Sequence, residues 1–407
     1  MSTAAKIQST TAIDLALQPG KHLIGEFCGD SGGPTLIAFG GIHGNEAAGV
    51  RALLRVAEKL SEFQAVLRGR VFLFAGNTRA IQKGIRFVDC DLNRHWTNEN
   101  ILRDAAVKDE HVLVSEDLDQ REILSALGKI FQSAGDEVYA IDLHSTSAEG
   151  VPFATVGDTM RNRRFAQMFP ITILLGIEEQ LEGTLLEYLN NLGVVTLGFE
   201  GGQHFAPSTV NAHEALIWLG LLHSEILREE DFPQAGHFRR VLKATGDKPR
   251  IVEVRYRHAI TESDGFKMLT GFNNFDPVRK NQYVADDKNG RIMSQEKGLM
   301  LMPLYQKLGE DGFFLGREVA PFWIWLSGIL RRMKLGSYMY LLPGVSKSDE
   351  DEETLEVNTK IARLFPLQIF HLLGFRKRRW RGKTLLVSRR KHDTLSPFQT
   401  RRNWVDE

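Results

Sequence analysis

Thr35-Leu36-Ile37-Ala38-Phe39 runs directly into Gly40-Gly41-Ile42-His43-Gly44-Asn45-Glu46. A short apolar, β-favouring run that breaks at glycines and passes at once into a helical pattern is a strand, a tight loop and a helix. Over residues 46–63 the helical pattern places Val50, Leu53, Leu54 and Ala57 on one face. The same texture recurs through the first half. Residues 71–75, 138–143, 171–175 and 194–199 read as core strands, and Asn211 is placed to cap a second helix over 212–227. Alternation of this kind predicts an α/β fold: a mostly parallel or mixed sheet flanked by helices.

At 407 residues the chain exceeds what one hydrophobic core usually fills, so more than one domain is expected. After Glu229 the texture changes to short alternating segments with turn signals at Asp264-Gly265, Asn289-Gly290 and Asp311-Gly312. We therefore read 1–231 as the α/β domain, 232–320 as a second, smaller β-rich domain and 321–407 as a C-terminal extension of unknown role. Hydrophobic residues at 43% and charged residues at 25% exclude global disorder. Lys plus Arg (51) balances Asp plus Glu (51), which argues against a nucleic-acid partner and leaves any anionic partner to a local patch. Two cysteines, Cys28 and Cys90, make no disulfide framework, and residues 1–11 lack the pattern of a secretory signal, so a cytoplasmic location is expected. The apolar run 319–330 is interrupted by Pro321 and Ser327 and falls short of the about 20 residues a membrane span needs.

Two motifs mislead. Gly29-Asp30-Ser31-Gly32-Gly33-Pro34 matches the segment around the nucleophile of trypsin-like serine proteases, but that mechanism needs a base histidine and an aspartate far upstream, and only His22 precedes it. It reads as a turn between two strands. Gly382-Lys383-Thr384 resembles a phosphate loop, but Lys377 stands where that pattern requires glycine.

The chemistry concentrates at strand ends, where open α/β sheets build their sites. His43 and Glu46 follow the first core strand; Asp142 and His144 close the strand around 138–143; Glu200 closes 194–199 and precedes Gly201-Gly202. Two histidines and a carboxylate are a catalytic-zinc donor set that leaves a position for water. Asp142, two residues before His144 and so on the same face of a strand, can orient its imidazole. Glu200 is placed to take a proton from water and hand it to a leaving group. Arg86, Asn93 and Arg94, in Arg86-Phe87-Val88-Asp89-Cys90-Asp91-Leu92-Asn93-Arg94, suit an anionic substrate, although ion pairs to Asp89 and Asp91 in a surface loop read as well.

Taken together, G-G-x-H-G-N-E, R-F-V-D-C-D-L-N-R, D-L-H-S-T and G-F-E-G-G, in that order over residues 40–202, resemble the succinylglutamate desuccinylase and aspartoacylase family, related in fold to zinc carboxypeptidases. The resemblance implies an α/β domain followed by a smaller β domain, and metal-dependent cleavage of a small acidic N-acyl amino acid such as N-succinylglutamate or N-acetylaspartate. It implies one zinc ion per chain on His43, Glu46 and His144, Glu200 as general base and later acid, Arg86 at the scissile carbonyl, and Asn93 and Arg94 on a substrate carboxylate. This chain departs from aspartoacylases in two places. The further substrate arginine they carry shortly before the catalytic glutamate falls near Asn190, inside a stretch, 165–227, without Lys or Arg; their second-domain tyrosine has no clear counterpart around Leu304-Tyr305.

Two other readings remain open: a zinc carboxypeptidase acting on peptide C-termini, and a metal-bound, non-catalytic ligand-binding protein. Toward the C-terminus, Phe322-Trp323-Ile324-Trp325-Leu326 before Arg331-Arg332, and 364–375 before 376–381, each pair an apolar segment with basic residues. The favoured expectation packs the apolar segments on the protein or a second subunit, as in a homo-oligomer, with the basic residues solvated or meeting the acidic run 349–353. Contact with an anionic membrane surface or an acidic partner is the alternative.

Overall fold

The computed structural model describes residues 17–29, 32–243, 248–306, 308–349, 351, 353–358, 361, 367–381 and 384–402. Residues 1–11, Asp30 and Ser31 of the glycine-rich turn, 364–366 of the second apolar segment and Gly382-Lys383 lie outside them.

In chain order the elements are β1 (Leu23–Cys28), β2 (Thr35–Gly40), α1 (Ala47–Leu60), β3 (Arg70–Ala75), α2 (Thr78–Lys83), α3 (Asn98–Ala106), α4 (Ser115–Gln132), β4 (Val138–Thr146), β5 (Phe153–Thr155), α5 (Met160–Gln167), β6 (Thr172–Leu175), α6 (Leu185–Asn191), β7 (Val195–Gln203), α7 (Pro207–His223) and α8 (Ala235–Lys243). There follow β8 (Ile251–Ala259), β9 (Lys267–Met268), β10 (Pro277–Val278), β11 (Tyr283–Asp287), β12 (Gly290–Met293), β13 (Gly298–Leu301), β14 (Asp311–Glu318) and α9 (Pro321–Arg332). The chain ends with β15 (Val345–Lys347), β16 (Thr354–Asn358), α10 (Leu367–Leu372), β17 (Lys377–Arg381), β18 (Thr384–Ser388) and α11 (Pro397–Arg402).

One eleven-stranded mixed sheet, in the order β1-β3-β2-β4-β7-β5-β6-β8-β14-β13-β10, carries the molecule, with a three-stranded sheet (β12-β11-β9) and a four-stranded sheet (β15-β16-β18-β17) beside it. The α/β expectation holds: a large mixed sheet flanked by helices, with smaller β-rich parts. Its centre is parallel, β3-β2-β4-β7. All six residues of β2 are buried, because helices cover both faces and no side of the strand needs polar residues. On one face Leu36, Ala38, Ile141 and Leu143 pack with Leu53 of α1 and Leu216 of α7; on the other Ile37, Phe39 and Ala140 pack with Ile123 and Leu127 of α4. Helix α7 is buried nearly all round, and Trp218 on it stacks on Phe232 at 4.7 Å between ring centroids.

Several local expectations are corrected. Asn211 caps nothing: α7 starts four residues earlier, with Pro207 supplying the preset φ of a first turn, and Asn211 Oδ1 accepts a hydrogen bond from Arg55. The α-helix expected over 46–63 ends at Leu60 and tightens into a 3-10 turn, Ser61–Val66. Asp311-Gly312 forms no turn but opens β14, where ion pairs to Arg94 and Arg257 hold the aspartate in the strand. Strand β1, antiparallel to β3 on the edge of the sheet, has a half-exposed pattern that the sequence reading passed over. Asn289-Gly290 does turn, between β11 and β12.

Candidate metal centre and active site

The carboxyl ends of β2, β4 and β7, three neighbours in the sheet, deliver the expected groups to one point. His43 sits in the loop after β2, and that loop turns through Gly41 at φ +73°. Gly44 passes so close to α2 that a Cβ on it would lie 2.3 Å from the carbonyl carbon of Ala80, and only glycine fits there. In the parallel ladder His144 stands directly beside Glu200.

His43 Nδ1 lies 2.8 Å from Glu46 Oε1 and His144 Nδ1 lies 3.3 Å from Glu46 Oε2. One donor atom from each of the three residues falls within 4.8 Å of the others. Both imidazoles turn their other nitrogen to a carboxylate. His144 Nε2 is 2.8 Å from Asp142 Oδ2, and His43 Nε2 is 3.2 Å from Asp91 Oδ1. A carboxylate behind each imidazole fixes the ring and raises the basicity of the nitrogen facing the site. Asp91 was read from sequence only as an ion-pair partner; its role behind His43 was missed. Two nitrogens and a buried carboxylate converging in this way fit a divalent ion. Burial disfavours charge on Glu46, but the facing His43 and His144 outweigh it and hold its carboxyl well below the ordinary range.

Two other histidine-carboxylate clusters, His22/Asp119/Glu122 and His95/Asp104/Asp117, are less suited to an ion. Arg79 lies 2.9 Å from Asp119 and Arg103 lies 3.0 Å from Asp117, so each cluster already holds a cation, and neither lines the main pocket.

Glu200 is half-buried beside the donor set, and its Oε2, shielded from solvent, has no hydrogen-bond partner among the described residues. Burial pushes its carboxyl up to about 7, against the pull of His144. A carboxylate near neutrality with an unengaged oxygen is equipped to accept and return a proton. Arg86 lines the same pocket, half-buried: Nη2 is 2.9 Å from both Asp91 Oδ2 and His43 Nε2, and Nη1 is 3.8 Å from Glu46. The loop that carries Arg86 and Asp91 is held by Glu116 of α4, whose carboxylate accepts the backbone N–H groups of Val88, Asp89 and Cys90 and the side-chain amide of Asn77.

Asn93 and Arg94 line the same pocket, already partly engaged. Asn93 Oδ1 accepts the N–H of Leu185, and Arg94 Nη2 lies 2.8 Å from Asp311 Oδ2. The sequence reading also missed His204, which links Ser145 Oγ (2.8 Å) to Gln306 Oε1 (3.2 Å) across the pocket. Tyr305 does not line the pocket; its hydroxyl binds the backbone of Leu269 and Phe272. The pocket that holds the donor set is also lined by Val156, Ile177, Leu181 and Leu186, and by Asn190 and Arg390. Arg390 belongs to the C-terminal extension, so no local pattern near residue 190 could have revealed a cation there.

Residues 32–216 match the family described as succinylglutamate desuccinylase/aspartoacylase catalytic domain. These residues belong to that family. The chain is 42% identical over 62 residues to a succinylglutamate desuccinylase of Pseudomonas paraeruginosa, covering 15% of this chain and 19% of that protein. It is 33% identical over 138 residues to the aspartoacylase of Rattus norvegicus, covering 32% of this chain and 40% of that one. The matched segments thus span from about a fifth to two fifths of those relatives. A succinylglutamate desuccinylase/aspartoacylase structure from Rhodobacter sphaeroides superimposes with a TM-score of 0.53 at 18% identity, over 73% of this chain and 88% of that one. At that identity the likeness is one of fold. The resemblance read from the four motifs agrees with this match.

Proposed function

We propose that the chain is a zinc-dependent amidohydrolase that removes the acyl group from a small acidic N-acyl amino acid. His43, Glu46 and His144 would hold the ion. When bound, it supplies Lewis-acid polarisation of a carbonyl and acidification of a water molecule. The chain's own groups do the rest. Glu200 takes the proton from the attacking water and delivers it to the departing amide nitrogen, whose protonation lets the C–N bond break. Arg86, fixed by Asp91, offers a guanidinium to the oxygen on which negative charge develops. Asp142 and Asp91 hold the two imidazoles in register through their far nitrogens.

The observation that carries this reading is the convergence of three donor groups with a fourth, unengaged carboxyl oxygen, that of Glu200, at the ends of adjacent strands. Substrate selection we assign to Asn93 and Arg94 near the donor set and to the apolar lining with Asn190 and Arg390. The division of the chain at about 232 and 320 is kept as part of the proposal, with the catalytic groups all before residue 232.

The test is hydrolysis of a panel of acetylated, succinylated and longer-chain acyl amino acids by the zinc-loaded protein. Release of free amino acid from at least one acidic member is expected. Saturable binding without product would support the ligand-binding alternative, and release of C-terminal residues from unblocked peptides would support a carboxypeptidase.

A further inference from the structure

Helix α9 turns large apolar side chains to water. Its protein-facing side holds two polar anchors beside Ile324 and Leu330, which pack on the apolar cores. Ser327 and Arg331 are 1% and 4% exposed; Ser327 Oγ donates to the Leu372 carbonyl and accepts from Arg163, and Arg331 reaches Asp158. On the opposite side, at i, i+3 and i+11, Phe322, Trp325 and Met333 are 55%, 60% and 61% exposed, with Trp323 flanking at 49%. The 3-10 turn that follows adds Tyr338 and Leu341, 58% and 68% exposed. A surface helix of a globular protein normally buries its apolar stripe and shows its polar one.

Within the stretch of chain that forms this patch the charge has one sign. Between Glu318 and Asp349 there is no acidic residue, while Arg332, Lys334 and Lys347 are exposed there, Lys347 lying over the Tyr340 ring at 4.7 Å. In the acidic run that follows, Glu353 pairs with Arg389 and Asp351 with Lys391. A second protein surface would have to match this patch with carboxylates of its own. An anionic bilayer matches it directly: tryptophan and tyrosine settle at headgroup depth, phenylalanine and methionine reach the acyl boundary, and the basic side chains meet lipid phosphates. No helix among the described residues is long and apolar enough to cross a membrane, so the contact is with its surface.

We propose that the Phe322–Trp325 face of α9 and the turn after it seat the protein on the surface of an anionic lipid bilayer. The favoured expectation from sequence, that the first apolar segment packs on the protein or on a second subunit, agrees with the side that carries Ile324; the exposed face we assign to the bilayer instead.

The test is co-sedimentation of the purified, metal-loaded full chain with phosphatidylcholine vesicles, with and without about one third phosphatidylglycerol, at low and high salt. Binding to the anionic vesicles alone is expected, weakening with salt and shifting tryptophan emission to the blue. The double variant Phe322→Ser/Trp325→Ser is expected to lower partitioning at least about tenfold, and Arg332→Glu/Lys334→Glu to do so by a similar factor. Neither should alter hydrolysis of a soluble substrate, because both lie outside the pocket. The proposal is overturned by absence of binding at low salt or by binding that both variants leave intact. It is equally overturned if light scattering finds a dimer that Phe322→Ser/Trp325→Ser dissociates, which would assign the face to a second copy.

Discussion

The two carboxylates behind the histidines decide how well an ion is held, and they make separable predictions. Asp142→Asn keeps the shape but loses the charge behind His144, and Asp91→Asn does the same behind His43. Each should lower metal affinity by roughly 10- to 100-fold, measured by competition with a chelating dye, with turnover recovering at saturating metal. Recovery distinguishes a positioning role from participation in the reaction. At this scale the sequence was informative wherever two groups shared one short segment: His43 with Glu46, and Asp142 with His144. It was silent on Asp91 behind His43, because that pairing spans 48 residues of chain and depends on how the loop after α2 folds back. His204 was silent for the same reason, since its partners Ser145, in β4, and Gln306, in a loop, lie far from it along the chain.

Elements rather than single residues place Arg86. The loop from Arg86 to Arg94 has no regular structure beyond the short 3-10 turn Leu92–Arg94, and the buried carboxylate of Glu116 at the start of α4 holds it. Glu116→Ala would leave three backbone N–H groups without their partner. It should cost at least about 2 kcal/mol in chemical denaturation and lower kcat/KM more than Glu116→Gln does. The central strands were readable because burial on both faces makes them continuous apolar runs, as in β2, β4 and β7. Element ends were not. The start of α7 is set by Pro207 rather than by a capping side chain, and β14 begins at Asp311 because Arg94 and Arg257 anchor it. Gly201, after Glu200, makes room for a buried histidine. A Cβ at Gly201 would sit 2.4 Å from the His213 ring, so the glycine admits that histidine, whose Nε2 lies 2.8 Å from the carbonyl oxygen of His144.

Across the whole molecule, the C-terminal extension is fastened through a buried ionic joint. Asp158, next to the pocket-lining Gly157, accepts from Arg163, Arg331 and Arg376, and Arg376 also reaches Glu179 and Glu253. Burial alone would raise the Asp158 pKa, but the three arginines outweigh it and hold it well below the usual carboxylate range. A depressed folded-state pKa contributes stability that is fully present above the unfolded value of about 4 and is lost as pH falls below it toward the folded value. Thermal unfolding of the wild type should therefore lose stability steeply below about pH 4. In Asp158→Asn, destabilised by about 3–5 kcal/mol at neutral pH, that acid dependence should be shallower. The extension also reaches the pocket through Arg390, whose Nη2 lies 3.7 Å from Glu178. Arg390→Ala should raise KM by about tenfold with kcat nearly unchanged, the mark of a group that binds substrate without entering the chemistry.

The central claim is that His43, Glu46 and His144 hold one ion beside Glu200, and metal content measured together with turnover tests it most directly. Elemental analysis of the purified protein is expected to find one zinc per chain in the wild type and in Glu200→Gln, and a large loss in His144→Ala. Turnover in Glu200→Gln should fall by about 10²–10⁴-fold despite the retained metal. A wild-type protein that binds no divalent ion, or a Glu200→Gln variant with full activity, would contradict the account.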